Sequence, residues 1–331
     1  MLIALAIIGF ISALAVMPID TSPLPSTPHP IATYAQAVAV YDSLVASERG
    51  LMMENGGSLI YVQGHRTPRS LLLVHGITNS PRQFRELAEQ FYERGYNVVV
   101  PRLPLHGLRS ADVAHLKTLT AEQYRDYADN AIDIASGLGD SVFVIGLSAG
   151  GNVAAWIAEH RPDVTRILVV APALTLARVP RLLDAPAMNL MERVPNVTIH
   201  QQPDTMRPHA YFGISTRAIG ETLRFGASIM ASAEDAAPVV HDITLVVNEN
   251  DHTIDPGSAL RLAQLWRSRD SLTTAVYRFD RKLGLPHDVI DATQKCGMPD
   301  VVYPVLIALM EKRTPDAITA DAGRCAARPA E

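Results

Sequence analysis

Residues 141–160 set a junction that few folds can hold. Ser141-Val142-Phe143-Val144-Ile145 is an apolar run, Gly146-Leu147-Ser148-Ala149-Gly150 follows it, and Asn152 to His160 carries a helical pattern. The run reads as a buried strand, so the chain must pass from strand to helix within the pentapeptide. Glycine two places either side of a serine lets the backbone close such a turn. The turn holds the serine at strained angles, with its hydroxyl exposed at the carboxyl end of a sheet. Three fixed positions are a short pattern on their own. The flanking strand and helix carry the inference.

The same alternation extends along the chain. Apolar runs at Ser58 to Val62, Ser70 to Val74, Asn97 to Val100, Arg166 to Val170, Ile243 to Val247 and Ala275 to Phe279 read as further strands. Between them, helical spacing covers Ala32 to Ser47, Pro81 to Arg94, Thr120 to Ile134, Pro256 to Ser268 and Pro299 to Lys312. Gly95 is a fitting stop for one of these helices, and Thr120 a fitting start for another. Strand alternating with helix predicts an α/β fold: a mainly parallel twisted sheet with helices on both faces. Residues 32–315 form this domain. One interval breaks the pattern. From Pro172 to His241 there is no convincing buried strand, and the interval holds Pro180, Pro186, Pro195, Pro203 and Pro208 and a helical stretch around Ile219 to Ala233. A structureless loop of that length is improbable, so residues 175–237 read as a helical cap over the carboxyl edge of the sheet.

The 331 residues and a 48% hydrophobic content allow one large domain with an insertion, or two small domains. The formal charge is −5 with Lys and Arg dispersed, which gives no reason to invoke nucleic acid. Residues 1–19 carry no charged side chain. A cleaved signal peptide ending near Ala13-Leu14-Ala15, an uncleaved membrane anchor and a buried core helix all fit such a segment. The first two place the body outside the cytoplasm, with membrane association through residues 1–19. Residues 20–31 are a Pro-rich linker, and 316–331 a tail. In an exported chain Cys296 and Cys325 could pair; two unrelated thiols fit as well. Neither sits in a metal-binding or catalytic-thiol pattern.

A serine hydroxyl needs a base within reach and an acid to orient that base. The strand Leu245-Val246-Val247 runs into Asn248-Glu249-Asn250-Asp251, and the strand ending at Phe279 is followed by Leu285-Pro286-His287-Asp288. Strand ends meet on one face of a sheet, so Asp251 and His287 can reach Ser148. Glu249, Asp255 and Asp288 are rival acids, and His252 is a rival base. Charge developing on a carbonyl oxygen needs preorganised N–H donors. Ala149, directly after the serine, supplies one. Leu73-Val74-His75-Gly76-Ile77 fits the other, with Ile77 donating.

These four stretches resemble the α/β-hydrolase superfamily, and within it the esterase, lipase and monoacylglycerol-lipase-like group catalogued alongside serine aminopeptidases. The resemblance covers roughly Leu71 to Leu309. It implies Ser148 as nucleophile, Asp251 as acid, His287 as base, and Ile77 and Ala149 as oxyanion donors. It implies no metal or organic cofactor. Many relatives carry Gly-His-Gly where this chain has Leu105-His106-Gly107, and a glycine where it has Asn248. A single glycine before a bulky apolar residue resembles the type that takes medium or long acyl chains. Met188, Leu190, Met191, Tyr211, Phe212, Leu223, Phe225, Ile229 and Met230 could then roof the acyl group. The implied activity is hydrolysis of small-molecule or lipid esters. The alternatives are amide hydrolysis on the same triad, with Glu192, Asp204, Glu221 or Glu234 binding an amine, and a non-catalytic binding protein of the same fold.

Overall fold

The computed structural model describes residues 2–109, 113–200, 209–270 and 274–318. Seven strands form the main sheet: β1 (Leu59–Tyr61), β2 (Thr67–Val74), β3 (Asn97–Val100), β4 (Gly139–Leu147), β5 (Val164–Val170), β8 (Ile243–Asn248) and β9 (Thr274–Phe279). Their spatial order is β1-β3-β2-β4-β5-β8-β9. β1 runs antiparallel to β3 and every other pairing is parallel. The central strands are nearly continuous apolar runs because helices cover both faces. One face carries α2 (Tyr34–Glu48), α4 (Ala121–Leu138), α5 (Ala149–His160) and α8 (Pro256–Arg269), with Trp156 and Trp266 fully buried in its core. The other carries α3 (Arg85–Glu93) and α9 (Pro299–Met310), packed through Phe84, Phe91 and Leu306.

Local chemistry sets the helix starts. Thr120 accepts from Gln123 N, and the Gln123 side chain answers to Thr120 N, a reciprocal capping box at the head of α4. Asp255 caps α8 through Gly257 N, with Pro256 at the first helical position.

The interval between β5 and β8 contains α6 (Asp184–Arg193), α7 (Thr216–Asp235) and a two-stranded antiparallel ribbon, β6 (Thr198–His200) with β7 (Gly213–Ser215). The ribbon adds two short strands to the expected helical cap. Three-residue strands are too short to show a period in sequence.

At the amino terminus, α1 (Leu2–Val16) packs on α6. Asn189 donates to Ala15 O, and Arg193 to the carbonyls of Leu14, Met17 and Pro18. Among the described residues no helix is long and apolar enough to cross a membrane. The Pro-rich segment is extended and laid along the body. Ser26 Oγ and Thr27 N donate to Asp129, His29 N to Asp133, and Trp156 Nε1 to Leu24 O. Fully buried Arg161 bridges the same two aspartates and Asp163. This charge network joins α4, α5 and the segment; removing one member would strand buried charge. Cys325, which could pair with Cys296, lies outside the described residues.

Candidate active site

β4 ends at Leu147 and α5 begins at Ala149, so Ser148 alone joins strand to helix. Its backbone stands at φ 60°, ψ −118°, a strained position for a residue with a side chain. The turn closes because glycine flanks it. A Cβ on Gly146 would lie 1.9 Å from Gly150 O, and one on Gly150 would lie 2.1 Å from Val74 O.

The structure brings Ser148, Asp251 and His287 together from three loops. His287 Nε2 is 2.9 Å from Ser148 Oγ, and His287 Nδ1 is 2.6 Å from Asp251 Oδ2. The other oxygen of Asp251 accepts from Thr253 N at 2.8 Å and Ile254 N at 3.1 Å. Those two N–H groups fix the carboxylate in rotation. An ionised Asp251 accepts only, so Nδ1 carries the proton and Nε2 faces the serine as acceptor.

The rivals are engaged elsewhere. Glu249 pairs with Arg278 at the surface. Asp255 caps α8. Asp288 accepts from Gln83, Asn79, Ile290 N and Asp291 N. His252 is exposed. His106 is buried, with its nitrogens 2.8 Å from Pro104 O and 2.5 Å from Ile77 O. Burial lowers its pKa to about 4, against the pull of the two carbonyls, and the ring buttresses the loop.

Residues 75–79, after β2, are held from several sides. Leu103 N donates to His75 Nε2 at 3.0 Å. Burial holds His75 well below the usual histidine range, assisted by His106, so its one proton sits on Nδ1. Nδ1 donates to Gly76 O at 2.9 Å, and Asn79 N reaches the same oxygen at 3.2 Å. In a trans peptide the N–H points away from its carbonyl. The Ile77 N–H is therefore directed away from His75, and Ile77 and Ser148 both line one cavity. Gln83 takes the Gly76 N–H at 2.9 Å, and Tyr211 N donates to Thr78 O at 2.8 Å. Sequence reading missed Gln83, which gives no motif signal; its two contacts are seven and 205 residues distant. Ala149, at the start of α5, presents one of the N–H groups a helix leaves unpaired.

A cavity of about 300 Å³ surrounds Ser148 and His287, walled by Ile77, Leu176, Ile214, Ile219 and Leu223. A second, of about 350 Å³, lies between α6 and α7 and shares Leu176 and Leu223 with the first. Of the apolar cap residues anticipated from sequence, Met188, Leu223 and Met230 line this second cavity. Phe225 and Ile229 instead pack the core, and Tyr211 stacks edge-on to His106. The cap carboxylates lie off the serine cavity. Glu221 accepts from Ala121 N and Arg224, Glu192 pairs with Arg217, and Glu234 borders the second cavity. Burial and the neighbouring Glu221 raise Glu192 to about 7. Asp204 lies outside the described residues. Among the described residues no group of three or more His, Cys, Asp or Glu could hold a metal ion.

A family model described as the alpha/beta hydrolase family matches residues 71–294. A thermostable monoacylglycerol lipase of Bacillus sp. strain H-257 is 28% identical over 58% of this chain and 74% of its own. The phospholipase YtpA of Bacillus subtilis is 30% identical over 39% of this chain and 50% of its own. Among solved structures, one from a study of the metagenome-derived lipolytic enzymes LipS and LipT superposes with a TM-score of 0.60 at 19% identity. It covers 79% of this chain and all of its own. A soluble variant of the Saccharomyces cerevisiae monoglyceride lipase gives 0.57 at 17%, covering 80% and 96%.

Proposed function

This chain belongs to the alpha/beta hydrolase family, and we propose that it hydrolyses carboxylic esters through an acyl-enzyme on Ser148. The observation that carries the reading is the unbroken line from Ser148 Oγ through His287 to Asp251, at 2.9 and 2.6 Å. His287 Nε2 takes the serine proton as Oγ attacks the carbonyl carbon. Asp251 holds the imidazole in the required tautomer and stabilises its charged form. The N–H groups of Ile77 and Ala149 receive the oxyanion, and each such donor contributes about 3–4 kcal/mol to the barrier reduction. His287 then protonates the leaving alkoxide. Water, deprotonated by the same nitrogen, attacks the acyl-enzyme and releases the acid.

The names of the two bacterial relatives, a monoacylglycerol lipase and a phospholipase, support lipid esters as the substrate class. The acyl chain runs from the Ser148 cavity past Leu176 and Leu223 into the cavity bordered by Met188 and Met230. The two cavities' shared border at Leu176 and Leu223 supports medium to long chains. Among the described residues Glu192, Glu221 and Glu234 do not line the serine cavity, which favours esters over the amide substrates of an aminopeptidase-like site. The apolar amino terminus supports a site of action outside the cytoplasm.

The test is turnover of p-nitrophenyl esters of increasing chain length beside aminoacyl amides, in the parent and in Ser148→Ala. Loss of ester turnover in a variant with an unchanged melting temperature is the expected result. Retained turnover refutes the serine assignment. Faster release from amides than from esters refutes the substrate class.

A further inference from the structure

Asp288 follows His287 directly in the chain but takes no part in the line of bonds to Ser148, since both ring nitrogens are already engaged. Its carboxylate is nevertheless fully used. Oδ1 accepts from Ile290 N at 3.2 Å and Asp291 N at 3.0 Å, and Oδ2 accepts from Gln83 Nε2 at 2.7 Å and Asn79 Nδ2 at 3.2 Å. All four partners are donors. Loss of solvent and the nearby Asp291 raise the pKa of Asp288, but a proton on either oxygen would point at another donor. Only the ionised group satisfies this setting.

The consequence falls on Gln83, which is buried in the turn Pro81–Phe84 ahead of α3. An amide side chain has a donor end and an acceptor end. Because Asp288 only accepts, the Gln83 NH₂ must face it, and Oε1 is left to take the Gly76 N–H at 2.9 Å. Gly76 needs such an outside hold. Glycine lacks the side chain that restricts φ and ψ, so the peptides on either side of it turn freely unless bound elsewhere. The peptide after Gly76 carries the Ile77 N–H. Its carbonyl is held by His75 and Asn79 N, and the N–H of the peptide before it by Gln83. The far end of the loop is held from the same stretch of chain. The Asn79 NH₂ reaches Asp288 at 3.2 Å and Asp291 at 3.3 Å, and Asp291 accepts from His209 Nε2 of the cap at 2.8 Å.

We propose that Asp288 is a positioning residue for the oxyanion site: through Gln83 it fixes the Gly76 backbone, and with it the direction of the Ile77 N–H. One short stretch then serves both needs of the reaction. His287 moves the proton, and Asp288 aims the oxyanion donor. Asp288 and Gln83 both border the Ser148 cavity, so the test must separate positioning from contact with substrate. The rate readouts rest on the ester reading; the hold on Gly76 does not.

The experiment uses the full chain and p-nitrophenyl butyrate. In Asp288→Asn the amide oxygen stays with Ile290 N and Asp291 N, because backbone donors cannot turn. Its NH₂ then meets that of Gln83, and Gln83 rotates to set its own NH₂ against the Gly76 N–H. The expected loss is about 10–100-fold in kcat with KM within about twofold, since the donor acts on the transition state. Adding Gln83→Glu exchanges donor and acceptor: the new carboxylate takes both the Gly76 N–H and the new amide. kcat should return to within about fivefold of the parent. Gln83→Glu by itself sets two carboxylates against each other and stays impaired. Losses that add in the double variant overturn the proposal, as does Asp288→Asn with kcat within about threefold of the parent. A change confined to KM also overturns it, by assigning Asp288 to substrate contact. A second readout needs no turnover. In chain labelled with ¹⁵N-glycine, Gly76 amide exchange should be slow in the parent and the paired variant, and about tenfold faster or more in Asp288→Asn. Gln83→Met leaves Asp288 charged and should show the same acceleration, which covers the case of Asp288→Asn failing to fold. Unchanged Gly76 exchange overturns the proposal. A parent chain inactive on every ester, with Gly76 exchange responding as expected, refutes the ester reading alone.

Discussion

Replacing His75 with phenylalanine should disable the oxyanion site without touching Ser148, Asp251 or His287. The ring shape is kept and both nitrogens are lost. Gly76 O then loses the donor at 2.9 Å that sets the plane of the Gly76–Ile77 peptide, and Leu103 N loses its acceptor at 3.0 Å. A full flip would remove the Ile77 N–H from the oxyanion, worth about 3–4 kcal/mol or 10²–10³ in rate. Asn79 N still reaches Gly76 O at 3.2 Å and retains part of the orientation. The expected loss in kcat is therefore about 30–300-fold, with KM within about twofold, because the donor acts on the transition state. Stability should fall by about 1–3 kcal/mol for each buried group left unpaired. Ile132→Ala supplies the control. Ile132 is fully buried in α4, so its truncation costs about 2–5 kcal/mol while leaving kcat intact. Affinity for an alkyl boronic acid, whose adduct with the serine carries an oxygen in the oxyanion position, should fall in step with kcat. A His75→Phe protein that is folded and retains kcat within about threefold refutes the orientation argument.

Three further outcomes follow from the same geometry. In Asp251→Asn the amide oxygen should stay on Thr253 N and Ile254 N, turning its NH₂ toward His287 Nδ1. Nε2 is then protonated, the wrong tautomer for a base, and kcat should drop about 10⁴-fold at constant fold; a loss below tenfold would contradict the role of Asp251. Leu223→Trp should crowd the border that the two cavities share. Hydrolysis of long-chain esters should then fall about tenfold or more relative to acetate, and an unaltered chain-length profile would remove the second cavity from the acyl path. Burial raises the Glu159 carboxyl from 4.5 to about 8. The folded chain thus keeps a proton that the unfolded chain has lost. Its contribution to stability is complete below about 4.5 and fades as pH climbs to about 8, at up to about 1.4 kcal/mol per pH unit. Glu159→Gln, which can still accept from Trp266 Nε1, should therefore raise the melting temperature at pH 9 and flatten its pH profile. An identical profile in both proteins would show that Glu159 is ionised in the fold.

By itself the sequence determined the sheet and the turn at Ser148. Each rests on neighbours along the chain: apolar runs that match buried strands, helical spacing that matches their covers, and glycines two places either side of Ser148. It also narrowed the partners of Ser148, because strand ends converge on one edge of a parallel sheet. It left Glu249, Asp255 and Asp288 as rivals to Asp251, since proximity in sequence does not say which carboxylate faces which ring. Only the fold separated them, by giving each rival a different partner. The ribbon of β6 and β7, the hold of His75 and Gln83 on the loop at Gly76, the cavity shared at Leu223, and the seat of α1 on α6 belong to the tertiary structure as well. They are contacts between residues far apart in the chain, with no period and no motif. Distant side chains acquire such meaning only when packing brings them within a few ångströms.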